Sequence, residues 1–386
     1  MLYGIAAATT ALLLAAVLTA LLRVPALRLG IVDRRRRQRP VPLAGGVAVV
    51  LATGAVVVAG ERTGVAPLGE GVGRLLLAGG AVALLGLIAD LRRVKARVLV
   101  AGTAVAAACV VPYEETGVPA GLLAVGWIVF VAVAFKALDH ADALAGTVGV
   151  VTAFGVGACA AAEVMDGLAV LLSVLAAALT GFLMHNWPPA RVSLGACGSL
   201  FTGFVLAAAA VCTRAGYGLA DSAGVLFPIT AVATADVLLV ILSRRLAGRP
   251  LLRGGPDHLA HRLRRLGLTP QGATVLPGIG AFAGVLVGVL THIGWTARSA
   301  VFWVAAGALV VVLLLLRVPV YVRRPVPTQA GRPLSTQAGR SMSTQAGRPV
   351  STQVGKPVST QVRSVTTQAG RPVSSQVSGH LRVRNG

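Results

Sequence analysis

The chain has 386 residues, of which 55% are apolar and only 12% are charged, and its formal net charge is +22. A water-soluble protein usually carries about 25% charged residues, and a chain of this size could not cover so much apolar surface with polar groups. The composition therefore excludes a set of soluble domains and predicts a multi-spanning membrane protein. The positive charge alone would also fit nucleic-acid binding, so its distribution along the chain has to be considered.

Eleven apolar stretches could each cross a bilayer, which takes about 20 residues in a helix. In chain order they are 2–22, 43–60, 73–89, 98–112, 119–138, 144–163, 167–186, 199–213, 219–243, 273–294 and 299–317. The predicted fold is therefore all-α, a polytopic membrane domain of about eleven transmembrane helices over residues 1–317. No small-residue cleavage site follows the first stretch, so we interpret it as a retained span.

Lysine and arginine mark the cytosolic loops of membrane proteins. With the N-terminus outside, 20 of the 24 basic residues in 1–316 fall on the cytosolic side. The net charge of this region is then +14 inside and −3 outside. An odd number of spans places the C-terminus in the cytosol.

Residues 318–386 form a second region with a different composition. From Arg317 onward there are 11 basic residues, no acidic residue, and an eight-residue repeat that begins PVPTQAGR, PLSTQAGR. Pro, Ser, Thr, Gln and Gly dominate, so we expect a disordered tail without an apolar core. A solvated tail without a binding role is the preferred interpretation, and weak binding of the spaced arginines to anionic lipids of the inner leaflet is the functional alternative. Nucleic acid is not an expected partner, because Tyr321 is the only aromatic residue of the tail.

Carboxylates at span ends are costly in an apolar environment and are therefore functional candidates. Those on the predicted cytosolic side are Asp33, Asp90, Asp139, Asp142, Asp236 and Asp257. Asp139 and Asp142 are three residues apart and would share one face at a helix start. Clustered carboxylates suit Mg²⁺ together with phosphate oxygens. Helix capping or pairing with arginine is the structural alternative, and spacing does not decide between them.

A loop rich in arginine and histidine, residues 244–267, lies on the same predicted side. His258 and His261 are three apart and Arg262 follows. Such a loop fits contact with a diphosphate, although a solvated loop would have the same composition. The two histidines could bind a metal, but no third ligand is adjacent in the sequence, which argues against zinc.

Five segments, in order, resemble the motifs of the polyprenyl-phosphate N-acetylhexosamine-1-phosphate transferases, the glycosyltransferase family 4 enzymes that start lipid-linked cell-wall and polysaccharide precursors. They are RPVPLAGGVAV (39–49), LLGLIADLRRVKARV (84–98), VAFKALDHADALAG (133–146), RVSLGACGSLFTGF (191–204) and HLAHRL (258–263). The third resembles the family's Asn-Asp-Gly-Asp-Gly segment and the fourth its Gly-Asp-Gly-Ser loop. The resemblance covers the membrane domain and excludes the tail.

Members of this family transfer a sugar 1-phosphate from a UDP-sugar to polyprenyl phosphate in the bacterial cytoplasmic membrane, using Mg²⁺ and releasing UMP. The resemblance therefore implies polyprenyl phosphate and a UDP-sugar as partners and Mg²⁺ as cofactor. Carried over to this chain, the catalytic carboxylates would be Asp90, Asp139 and Asp142, the last two also as metal ligands. The substrate contacts would come from Lys136, His258, His261, Arg262, Gly45 and Gly46.

Several charged positions of the family pattern are replaced here. Ala89 stands for the first of two paired aspartates, Leu99 for a lysine expected near the phosphates, and Ala196 for the aspartate with which the family holds Mg²⁺. A neighbouring side chain rarely replaces a charged metal ligand, so the usual mechanism looks impaired. The other replacements are Arg37 for a histidine, Lys136 for an asparagine, His140 and Ala143 for glycines, and Ala260 for a histidine.

Three functions remain open at this point. The first is a working transferase with a rearranged site, in which Asp90, Asp139 and Asp142 hold Mg²⁺. The second is a catalytically degenerate member that binds polyprenyl phosphate or a UDP-sugar without turnover, or regulates wall synthesis. A transporter or an unrelated membrane scaffold is the third, but it would need polar residues in the middle of spans, and these are few.

Overall fold

The computed structural model describes residues 2–33, 40–64, 69–92, 94–250 and 255–320. Within these ranges the chain is helical, and the predicted all-α class is confirmed. The helices are α1 (Leu2–Arg28), α2 (Gly45–Arg62), α3 (Gly69–Leu91), α4 (Ala96–Ala108), α5 (Tyr113–Thr116), α6 (Val118–Leu138), α7 (Leu144–Ala162), α8 (Asp166–Asn186), α9 (Gly195–Cys212), α10 (Leu219–Ile229), α11 (Ala231–Leu246), α12 (Leu259–Arg265), α13 (Gly272–His292) and α14 (Ala300–Leu316). Arg37 and the repeats of the tail lie outside the described residues.

Eight of the described helices are long and apolar enough to cross a membrane, namely α1, α2, α3, α6, α7, α8, α9 and α13. Helices α10 and α11 would together form a ninth span, although they meet at an angle of 80°. Pro228 lies beside this break and lacks the N–H that would continue the helical hydrogen bonds. Helices α4 and α14 have 13 and 17 residues and are shorter than a full span. All eleven predicted stretches are thus helical, while eleven crossings stay a prediction.

The outer helices expose large apolar side chains, and the central helix exposes almost none. Leu13 of α1, Leu77 of α3 and Phe302 of α14 are among the exposed residues, as expected where hydrocarbon rather than water surrounds a helix. In α9, every residue except Cys212 is buried. Its many small residues let α2, α3, α6 and α7 pack closely around it.

Glycines allow α2 and α3 to approach the first turn of α9. A Cβ atom at Gly46 would overlap the backbone of Gly198 and Leu194, and one at Gly86 would overlap the backbone of Ala196. Only a residue without a side chain fits where two backbones come this close. The start of α9 is therefore fixed against two neighbouring helices.

Polar contacts gather at two opposite ends of the bundle. Helices α3 and α6 finish, and α9 begins, at the same end, which we call the aspartate end because it carries Asp90 and Asp139. At the far end, Arg214 follows α9. Its guanidinium lies 2.9 Å from Nδ1 of His292 at the end of α13 and 3.6 Å from the ring centre of Tyr217. This arrangement is expected when successive helices run in alternating directions.

Replacing Gly46 by alanine should destabilise the fold, because neither backbone at this crossing can move without displacing a whole helix. We expect Gly46→Ala to cost about 1–3 kcal/mol, measured as a lower midpoint when the detergent-solubilised protein is heated and the peak of the folded protein is followed by size-exclusion chromatography. The matched control is Gly54→Ala in the same helix, where an added Cβ meets no atom within 4 Å. Equal midpoints for the two variants would contradict the close crossing.

Candidate active site

The first turn of α9 is capped by carboxylates from two other helices. The first N–H groups of a helix have no partner within it. Here the amide of Gly195 donates to Oδ2 of Asp139 at 2.9 Å. The amides of Ala196 and Cys197 donate to Oδ1 and Oδ2 of Asp90 at 2.9 and 3.0 Å. Two carboxylates therefore lie side by side at the positive end of a helix, where the helix dipole stabilises their charge.

These carboxylates line a cleft of about 730 Å³ at the aspartate end. Lys136, near the end of α6, also lines it, as does Asp33 from the loop after α1. An antiparallel bridge between Val32 and Pro42 holds this loop against the segment that leads into α2. The structure thus brings together Asp90, Asp139 and Lys136, three of the residues predicted to carry the chemistry.

The three positions at which this chain lacks a charged residue of the family pattern lie in the same cleft. Ala89, Leu99 and Ala196 are all among the residues that line it. The amide of Ala196 binds Asp90, so its methyl group stands where a carboxylate would be next to two others. Residues that match the family pattern and residues that depart from it therefore line one cleft.

Asp142 lies in a second, smaller pocket of about 190 Å³, together with His140, His261 and Arg264. Its Oδ2 accepts a hydrogen bond from the amide of Ala190 at 3.0 Å. The expectation that Asp139 and Asp142 share one helical face was wrong. Helix α6 ends before them and α7 begins after them, because the intervening turn ends in a left-handed residue, Ala143, with φ of 59°.

The histidines near α12 form a cluster with residues from distant parts of the chain. Nδ1 of His258 lies 2.9 Å from Oδ2 of the fully buried Asp236 in α11. Oδ1 of Asp236 accepts the amide of Leu259 at 2.8 Å and so caps α12. The ring of His140 stacks on that of His258, with centroids 4.2 Å apart. The centroid of the His261 ring is 5.1 Å from that of His140. The fold thus places two further groups of metal-ligand type, His140 and Asp236, beside His258, although neither is adjacent to it in the sequence.

The two ring nitrogens of His140 have different surroundings. Nδ1 lies 2.8 Å from the carbonyl oxygen of Ala137, and since a carbonyl only accepts, Nδ1 carries the proton. Nε2 is buried and has no hydrogen-bond partner among the residues that the structure describes. Burial lowers the pKa of His140 to about 3, so the ring is neutral at pH 7 and Nε2 presents a lone pair.

Arg262 occupies a structural position rather than the predicted contact with a diphosphate. Its side chain is buried and donates to the carbonyl oxygens of Asp257, Leu315 and Val318. It also donates to the hydroxyl of Ser243. These bonds join α12 to the ends of α11 and α14, so we assign the guanidinium to packing.

The two glycines at the start of α2 also serve packing. The amide of Gly45 donates to the carbonyl oxygen of Ser193 at 3.1 Å, and a Cβ there would overlap the ring of Phe182. Gly46 faces the backbone of α9, as described above. Neither is among the residues that line the cleft, so their predicted substrate contact stays a prediction.

Sequence reasoning missed Asn186, which connects the loops of the two pockets. Its Oδ1 accepts the buried amide of Ala143 at 2.8 Å, and its Nδ2 donates to the carbonyl oxygen of Val192 at 2.7 Å. It thus joins the segment of Asp139 to the segment that leads into α9. The available signal was an asparagine at the end of an apolar span, directly before Trp187 and two prolines.

The comparisons with known proteins agree with this geometry. The model of glycosyl transferase family 4 matches residues 73–214, which run from α3 to the end of α9 and contain Asp90, Asp139 and Asp142. A putative glycosyltransferase of Streptomyces coelicolor is 67% identical over 83% of this chain and 79% of its own length. The decaprenyl-phosphate N-acetylglucosaminephosphotransferase of Mycobacterium tuberculosis is 30% identical over 64% of this chain and 72% of its own.

The chain belongs to the polyprenyl-phosphate N-acetylhexosamine-1-phosphate transferase family. A probable undecaprenyl-phosphate N-acetylglucosaminyl 1-phosphate transferase of Bacillus subtilis, 31% identical over 40% of this chain and 43% of its own, is a further relative. The resemblance seen in the sequence motifs is confirmed, and the helices are those of a multi-pass membrane protein. The comparisons do not favour a transporter.

Replacing Asn186 by leucine should loosen the site without altering any charge. The buried amide of Ala143 and carbonyl of Val192 would lose their partner, at about 1–3 kcal/mol for each group. We expect a lower midpoint of thermal unfolding in detergent. Ser173→Ala is the matched control in the same helix, because the bond of that hydroxyl within the described residues goes to the carbonyl of Ala169 one turn back. Its effect should stay within about 0.5 kcal/mol, and a similar loss in both variants would contradict the bridging role.

Proposed function

We propose that the chain transfers a sugar 1-phosphate from a UDP-N-acetylhexosamine to polyprenyl phosphate in the cleft at the aspartate end. The observation that carries this proposal is the convergence of Asp90, Asp139 and Lys136 at the start of α9, in a chain of this family. The relatives named above act on decaprenyl or undecaprenyl phosphate, and we extend that substrate class to this chain.

The reaction requires two anions to meet. An oxygen of the lipid phosphate attacks the sugar-bound phosphorus of the nucleotide sugar, a P–O bond forms, and the bond to the departing UMP breaks. A phosphate monoester is mostly deprotonated at pH 7, since its second pKa is about 6, so the nucleophile needs no protein base. Lys136 would lower the repulsion by binding the diphosphate, and the positive end of α9 would add to this field.

The carboxylates of the cleft are suited to hold a magnesium ion. Proteins often hold Mg²⁺ through one or two carboxylates together with substrate phosphates and water. Asp90 and Asp139 supply two adjacent carboxylates, anchored by the amides of α9. When bound there, the ion would cancel charge on the diphosphate. Asp142, predicted as a ligand from the sequence, lines the other pocket and is left out of this set.

The second pocket contributes the remaining predicted contact. His261 lines it with Arg264, so we keep His261 as a candidate for phosphate binding. His258 is paired with Asp236, and Arg262 is held by backbone carbonyls, so neither enters the proposal. Binding without turnover is the alternative, and the replacement of a metal-binding aspartate by Ala196 is the feature that would support it.

Membranes containing the protein should release UMP when incubated with Mg²⁺, polyprenyl phosphate and UDP-N-acetylglucosamine. Asp139→Asn should lower the release by at least ~100-fold, the cost of removing one group that stabilises the transition state. An asparagine oxygen can still accept the amide of Gly195, so this variant removes the charge and keeps the cap. Asp166→Asn, at the start of α8 and the far end of the bundle, is the matched control and should leave the rate unchanged.

A different result of this assay would support binding without turnover. If the native chain releases no more UMP than empty membranes, while Ala196→Asp releases it, the cleft is built for transfer but lacks a ligand. The proposal of a working enzyme would then fail, and binding without turnover would replace it.

We also propose that the eleven helical stretches all cross the membrane of a bacterial cell, with the N-terminus outside and the aspartate end in the cytosol. Supporting this are the excess of arginine at the ends of helices on that side and the alternating directions of successive helices. In this orientation the carboxylates meet a nucleotide sugar from the cytosol. The basic tail would then lie at the inner leaflet and bind anionic lipids weakly.

Reporter fusions test this orientation and the crossing by α14. Alkaline phosphatase fused after Gly294, in the loop between α13 and α14, should be exported and active. Fused after Arg317, it should be inactive, since the 17-residue α14 would return the chain to the cytosol. Expression of the two fusions is matched by immunoblot. Activity of both fusions would show that α14 does not cross, and inactivity of the first alone would reverse the orientation.

A further inference from the structure

Three side chains from separate segments form a compact group of metal-ligand type next to the second pocket. His140 comes from the loop between α6 and α7, Asp236 from α11, and His258 from the residue before α12. Ligand atoms of the three lie within 4.8 Å of one another. His261 is the nearest further imidazole, in ring contact with His140. None of the three belongs to the carboxylate pair at the start of α9.

His140 is oriented as metal-binding histidines usually are. A ligating imidazole typically donates its second N–H to a backbone carbonyl or a carboxylate, which fixes the ring and its tautomer. Nδ1 of His140 has this bond to the carbonyl of Ala137, which leaves its Nε2 for a further interaction. Nδ1 of His258 faces Oδ2 of Asp236 at 2.9 Å, and an ion bound by both atoms would take the place of this hydrogen bond.

The buried Nε2 of His140 is the strongest sign of a ligand. A buried acceptor without a hydrogen bond costs free energy, and this atom has no such bond within the part of the chain that the structure describes. The neighbouring carboxylate of Asp236 is fully buried, and a buried negative charge also favours a nearby cation. A metal ion would answer both requirements at one place.

We propose that His140, His258 and Asp236 bind a divalent transition-metal ion of the zinc class. Zinc accepts imidazole nitrogen and carboxylate oxygen, with Zn–N distances of about 2.0–2.1 Å, so neighbouring ligand atoms would be roughly 3.4 Å apart. The present separation of up to 4.8 Å therefore requires the rings to move inward by about an ångström. Water or the ring of His261 would complete four-coordination. Mg²⁺ prefers oxygen ligands and octahedral geometry, so it would not compete here.

Such an ion would add a bond between three elements that are already in contact through the hydrogen bonds of Asp236 and the stacked rings of His140 and His258. The loop of His140 continues directly from Asp139 in the cleft, and α12 carries His261 of the second pocket. Binding at this position would hold both pockets in one arrangement, and it would stabilise the folded state because the unfolded chain offers no preformed site. The glycine that the family pattern has at position 140 could not provide this contact.

The test measures metal content directly and does not depend on transferase activity. The full chain, purified without a histidine tag, is stripped with a chelator, reloaded with Zn²⁺ or Co²⁺, and freed of excess metal by gel filtration. We expect stoichiometric zinc by mass spectrometry, a visible Co²⁺ spectrum of low coordination number, and a higher midpoint of thermal unfolding in the reloaded protein.

His140→Gly restores the glycine of the family pattern and should weaken zinc binding by at least ~10-fold, the lower range seen when even supporting residues of metal sites are removed. His185→Gln, a histidine outside the cluster at the end of α8, is the matched control and should bind zinc as the native chain does. If the native chain retains no more zinc than His140→Gly, or if Co²⁺ gives only the spectrum of the hydrated ion, the proposal is overturned. The cluster would then be a hydrogen-bonded histidine stack alone.

Discussion

The first turn of α9 is the constraint on which the rest of this structure depends. Helix α9 is buried along its length, and its N-terminal amides, which have no partner within the helix, take their acceptors from other parts of the protein. Asp90 and Asp139 are those acceptors, and each stands at the end of another helix. Three helix ends are thereby fixed relative to one another, and the cleft is the space that remains between them. The glycine contacts of α2 and α3 act on the same turn.

Capping α9 gives the carboxylates of Asp90 and Asp139 a structural role, and they remain suited to bind a metal ion. Capping and metal binding were alternatives from the spacing alone, but a carboxylate has several lone pairs, and a hydrogen bond from an amide does not use all of them. A third aspartate at position 196 would add a like charge beside two others, which raises the cost of the cluster when no cation is bound. With alanine there, the two remaining carboxylates accept hydrogen bonds from three amides. The replacement thus lowers the repulsion within the cluster when no cation is bound.

The loop from residue 139 to residue 143 carries side chains of different chemical type into two pockets. Asp139 faces the cleft with oxygen ligands suited to a hard cation, whereas His140, the next residue, enters a cluster rich in nitrogen ligands. The loop can do this because it leaves helical geometry between α6 and α7, where adjacent side chains point to different pockets. Asn186 holds the loop in this conformation through the amide of Ala143.

The sequence by itself determined the class of the protein, the position of nearly every helix, and the motifs of the cleft. These features depend on local properties, since apolar length predicts a span and motif order does not require knowledge of the fold. Asp90, Asp139 and Lys136 were recognised in this way, as were the alanines that replace charged groups. Only the tertiary structure decided that Arg262 and the glycines of α2 serve packing, and that Asp142 faces a different pocket from Asp139. Only the fold, likewise, brought Asp236 and His140 to His258. These assignments depend on contacts between residues far apart in the chain, such as Asp236 with His258 and His140 with His258, and spacing along a chain carries no information about such contacts.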